Sequence, residues 1–170
     1  EIKSNPHKFY NKCVQYLLEI ICAYMTAAGA GENDLDFILE HRNHDYDAML
    51  RFLSKVKVNP IYPQSKALRI LNPFAISTRK KGEEDMLEIA DFVSHSVYQC
   101  ANKTPQNHYI PEPRYFTELS SRFAGDREGI MLGTGLKCIH SVAELKLDDD
   151  IESLFKTARV KLPARLKGKS

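Results

Sequence analysis

Apolar residues recur at helical spacing through the first part of the chain. Phe9, Cys13, Tyr16, Leu17, Ile20, Ile21, Tyr24 and Met25 predict an amphipathic helix over residues 6–28. The glycines of AGAGEN (28–33) end it. Within DFILEHRN (36–43), the apolar run Phe37-Ile38-Leu39 is bounded by polar residues and predicts a buried strand. Asn43 is placed to cap a following helix, 44–56, whose first turn carries Asp45 and Asp47, where acids suit the helix dipole. VNPIYPQS (58–65) is a Pro-broken loop, and KALRILNPFAIS (66–77) predicts a second strand interrupted at Pro73. Beyond TRKKG a helix is predicted over 83–101, then a Pro-rich loop, TPQNHYIPEP (104–113), and a helix over 114–124. A Gly-rich, strand-like piece, GIMLGTGLKCIH (129–140), precedes a helix around 148–158 that opens on Asp148, Asp149 and Asp150.

The order helix, strand, helix, strand, helix is the alternation of an α/β domain with helices packed on a sheet. Two or three strands are few for a stable sheet. More are therefore expected from an upstream segment or a partner chain. A length of 170 residues fits one domain, here 1–158, followed by a basic tail over 159–170. Charged residues are 27% and the net charge is +2, so no global field marks a nucleic-acid binder. The charge is uneven, however. Lys156–Ser170 holds six Lys or Arg and no acid, which suits a solubilising end or a contact with phosphate or an acidic partner.

Cys13, Cys22, Cys100 and Cys138 are far apart and read as small buried hydrophobes in a reducing cytosol. VQYLLEIICAYM is the most apolar stretch, but it is short and Glu19 interrupts it, so no membrane span and a cytoplasmic location are expected. The chain opens on Glu1 and enters a helix almost at once, which suggests that a start region is missing or that this is part of a longer protein.

The helix over 83–101 carries an acid inside its most apolar run, MLEIADFVSH (86–95). At about 3.6 residues per turn, Glu84, Glu88, Asp91 and His95 share one stripe. Met86, Ala90, Val93, Val97 and Cys100 form the expected core side, with Leu87, Ile89 and Phe92 on the flanks. The stripe is either a solvated acidic face or a lane aimed at the strand ends, where ligands sit in open α/β sheets. In the second case Glu40, just after Phe37-Ile38-Leu39, joins Asp91 around a hard cation such as Mg²⁺, which takes carboxylate oxygens. His95, one turn beyond Asp91, is then placed to act as a base or to orient a water.

Two other constellations carry less. His41, His44, Asp45 and Asp47 lack a zinc-protease spacing, and the last three are better explained as a capped helix start. GTGLK (133–137) lacks the spacing of a phosphate-binding loop and reads as a tight turn.

EHRN (40–43), ending a strand before a helix, is similar to the D-x-R element of a widespread bacterial and phage family catalogued as domain of unknown function 3800. ISTRKK followed by EEDMLEIADFV, within 76–93, resembles that family's Ser-Lys segment and its L-Q-L-A-D helix, with Glu88 where Gln is usual. The likeness covers about residues 6–100. It implies a ribonuclease H-like fold, a mixed sheet flanked by helices, whose core here is 6–102 and whose extension is 103–158. It also implies Mg²⁺ or Mn²⁺ as cofactor, held by Glu40 as the fourth-strand acid and Asp91 as the late-helix acid. Glu88 and His95 are secondary candidates, and the resemblance implies Arg42, Lys80 and Lys81 as candidate phosphate contacts. One departure is large: the first-strand Asp-Glu-Ser-Gly type motif is absent, so the chain resembles the second half of such a protein. The expectation is a metal-dependent phosphodiesterase or nuclease when complete. The alternative is a non-catalytic protein- or nucleic-acid-binding module on the same scaffold.

Overall fold

Pro6 at the first helical position and the Asn5 side chain, which accepts from the Lys8 N–H, start the first helix, α1 (Pro6–Ala27). The computed structural model describes residues 5–139, 142–156 and 160–161. They form two compact units, divided between Glu83 and Glu84.

The first unit continues with β1 (Phe37–Glu40), α2 (Tyr46–Val58) and β2 (Ile76–Arg79). Asp45 caps α2, its carboxylate accepting from the Ala48 N–H at 2.8 Å, so the helix starts two residues later than Asn43 would place it. The segment expected as strand 66–77 is mostly 3₁₀ helix, Pro63–Ile70 and Pro73–Ala75, each with a proline at its start. Proline lacks the N–H that a strand would pair, and Ser65, Leu68 and Ile70 are buried along that tighter helix. Of that segment only Ile76 and Ser77 become strand, as the start of β2.

β1 and β2 pair in parallel, Phe37 opposite Ile76 and Glu40 opposite Arg79. The core lies beside this pair. Leu18 and Cys22 of α1 pack with Met49 and Leu53 of α2 and with Leu68 and Leu71. Ile38 is 37% exposed, so the strand expected to be buried is covered on one side only. The α1 face also differs from expectation. Val14, Leu18 and Cys22 are buried together with Gln15 and Glu19, whereas Phe9 and Leu17 are exposed. Gln15 and Glu19 are buried because they satisfy each other and Ser65. Gln15 Nε2 donates to Glu19 Oε1 at 2.7 Å and the Ser65 hydroxyl donates to the same oxygen at 2.7 Å.

The second unit contains α3 (Asp85–Ala101), α4 (Arg114–Leu119), β3 (Ala124–Gly125), α5 (Asp149–Lys156) and β4 (Val160–Lys161). β3 and β4 are parallel. Its core is Cys100, Phe116, Met131, Ile151 and Phe155, with Phe116 set against Phe123 and Phe155 at ring distances of 5.2 and 4.8 Å. The strand-like 129–140 is instead built around a turn. The N–H groups of Thr134, Gly135 and Leu136 all donate to the Met131 carbonyl.

The chain is thus a mixed α/β structure. Among the described residues both strand pairs are parallel and two-stranded, so the expected mixed sheet is not seen. The basic tail lies outside the described residues except for the backbone of β4. No described helix is long and apolar enough to cross a membrane.

Candidate functional site at the strand ends

Because β1 and β2 run the same way in register, their carboxyl ends lie on one edge, tied by the His41 N–H donating to the Arg79 carbonyl at 2.7 Å. The residues leaving the two strands therefore emerge side by side. After β1 come His41 and Arg42; after β2 come Lys80 and Lys81, with Arg79 opposite Glu40. Arg42, Arg79, Lys80 and Lys81 are all exposed. The Lys80 N–H donates to Glu83 Oε2 at 2.8 Å, and the Arg79 guanidinium donates to the neighbouring Thr78 carbonyl. Among the described residues the Arg42, Lys80 and Lys81 side chains make no hydrogen bond or ion pair, so their charges face water.

Tyr46 holds the β1 side of the rim. Its hydroxyl accepts from the Arg42 N–H at 2.8 Å and donates to the Glu40 carbonyl at 3.2 Å, fixing the backbone as it leaves the strand. The His41 ring stacks on Tyr46 at 5.8 Å. Behind it, His44 sits among His7, Tyr10 and Asn11. His44 Nε2 donates to Asn11 Oδ1 at 2.7 Å, which leaves His44 Nδ1 to accept from His7 Nδ1–H at 3.0 Å. Burial raises the Tyr10 phenol, and the neighbouring Tyr46 raises it further.

Burial, and then the neighbouring His7, push the His44 pKa below its ordinary value of 6.5. A histidine made harder to protonate on folding takes up its proton first in the unfolded chain. Stability of the first unit is therefore expected to fall as pH drops through 6.5 towards the lowered folded value, and to be unaffected by this group above that window. Denaturant titrations between about pH 5 and pH 7.5 measure it. His44→Gln should show a shallower acid loss than the wild type, and equal slopes would remove His44 as the cause.

The proposed residues thus divide. Glu40, Arg42, Lys80 and Lys81 share the strand-end rim of the first unit. Glu88, Asp91 and His95 lie on α3 in the second unit, all exposed, with His95 Nε2 at 3.2 Å from Gln99 Nε2. The expected core side of α3 is also corrected. Met86 is 63% exposed, Ala90 is exposed, and burial begins only in the second half, with Ser96 and Cys100. That half packs on α4 and around Phe116, while the first turns have no comparable cover among the described residues.

The implied Mg²⁺ or Mn²⁺ does not fit this donor set, because no group of three or more His, Cys, Asp or Glu among the described residues converges to hold an ion. The cysteines are free, and burial lifts both the Cys22 and Cys100 thiols to about 11, far from thiolate chemistry. Sequence reading missed Arg79 and the Tyr46 clamp. The parallel register that unites Arg79 with Arg42 depends on a pairing that no local motif announces.

Fold and rim together define a mixed α/β chain with an exposed basic edge at the carboxyl ends of a parallel strand pair. No protein-family model, curated protein or solved structure gives a significant match to it.

Proposed function

We propose that the chain is a nucleic-acid-binding module on a ribonuclease H-like scaffold, engaging backbone phosphates through the strand-end rim. The observation that carries this reading is the convergence of Arg42, Arg79, Lys80 and Lys81 on one sheet edge, with no acid among the described residues neutralising Arg42, Lys80 or Lys81. Arg and Lys so placed donate to phosphate oxygens and release counterions. The succession α1, β1, α2, β2, α3 also suits the later part of that scaffold.

Fluorescence anisotropy with single-stranded DNA and RNA oligonucleotides tests it. Wild-type affinity should fall steeply with salt. Combining Arg42→Ala, Lys80→Ala and Lys81→Ala should weaken binding by about tenfold or more at low salt and flatten the log–log salt slope by about 2, since each lost phosphate contact removes about 0.7. Unchanged affinity in the triple variant would exclude the rim.

A further inference from the structure

Sharing no residue with the rim, an open cavity of about 640 Å³ lies in the first unit between α1, α2 and the segment just after α2. That volume is in the range of small-molecule sites. Its walls are apolar: Phe52 and Val56 of α2, then Val58, Ile61 and Tyr62. Val58 and Ile61 are each 83% exposed, and Tyr62 is 62% exposed, a concentration of uncovered apolar surface that a folded chain seldom leaves without use.

The polar part of the lining has one sign of charge. Lys12 and Lys55 line the cavity and no Asp or Glu does. Lys12 is held in place. Its ammonium donates to Gln15 Oε1 at 2.9 Å and lies 5.1 Å from the centre of the Phe52 ring. Gln15 is in turn fixed by its bonds to the buried Glu19 and Ser65. A cation anchored at the edge of an apolar hollow, with ammonium protons left over, suits a ligand that brings an apolar body and an oxyanion head.

We propose that this cavity binds a small anionic amphiphile, its apolar body against Phe52, Val58, Ile61 and Tyr62 and its acidic head on Lys12. Carboxylate and phosphate heads share this chemistry. The two lysines select the charge, and the uncovered walls supply the hydrophobic part of the affinity.

Isothermal titration with decanoate, decyl phosphate and the uncharged decanol tests it on the intact chain. Both anions, or one of them, should bind one-to-one and about tenfold or more tightly than decanol. The tighter anion identifies the head group. Lys12→Met should remove most of that preference while leaving decanol unchanged. Ile61→Asp, at a position too exposed to disturb folding, should weaken every ligand by about tenfold or more. Equal affinity for decanol and the anions, an unchanged preference in Lys12→Met, or no stoichiometric binding would overturn the proposal. Because no rim residue is altered, the outcome is independent of nucleic-acid binding.

Discussion

Glu19→Ala is expected to destabilise the first unit by about 2–5 kcal/mol, measured by urea unfolding of the whole chain. Glu19 is 4% exposed and its Oε1 accepts from both Gln15 and Ser65, themselves 2% and 1% exposed. Truncation strands two donors out of reach of water, each costing about 1–3 kcal/mol, and leaves a hole beside Leu18 and Cys22. Glu19→Gln separates these effects. It keeps an acceptor oxygen and the volume, so its loss should be less than half that of alanine. If alanine and wild type unfold together, the three polar groups do not brace α1 against the segment carrying Ser65. The same variant bears on the cavity, since Gln15 positions Lys12 only while its own amide is held.

That network shows what local pattern can and cannot convey. The extent of α1 was legible, 6–28 against Pro6–Ala27, because its apolar spacing is dense. Its buried face was not. Glu19 reads along the chain as an interruption of an apolar run, but the fold turns it inward because Ser65, remote in sequence, supplies a partner. The 66–77 segment failed for a related reason. Leu68, Ile70 and Leu71 are core residues, as an apolar strand would make them, but Pro63 and Pro73 favour 3₁₀ turns. In α3 the periodicity correctly set the helix and the buried Cys100, yet burial stops short of Met86 and Ala90. A pattern of apolar residues states which face can be covered, not which turns receive a cover. Of the proposed site, Arg42, Lys80 and Lys81 stood out in the sequence only as candidate phosphate contacts implied by a family resemblance. Their meeting at one edge needed the parallel register of β1 and β2.

Gly135→Ala is expected to be among the most damaging single changes in the second unit, at or beyond the upper end of the roughly 1–3 kcal/mol typical of overpacking. A Cβ built on Gly135 would lie 2.2 Å from the Ala124 carbonyl oxygen and 2.8 Å from the Ala124 nitrogen. These are backbone atoms of β3, so no side-chain rotation relieves the overlap. Either the turn or the strand must move, and β3 is only two residues long. Gly133→Ala, in the same GTGLK turn, provides the contrast. Nothing lies within 4 Å of its Cβ position, but its φ is +89°, so the cost is conformational alone, about 1 kcal/mol. Thermal unfolding of the two variants should therefore rank Gly135→Ala well below Gly133→Ala, with both losses confined to the transition of the second unit. The reverse order would mean that the strain at Gly133, and not close packing at Gly135, is what makes this sequence glycine-rich. Under the expected order, the glycines of GTGLK serve a turn at Met131 and a tight approach to β3. They leave no backbone cradle open for a phosphate at this turn.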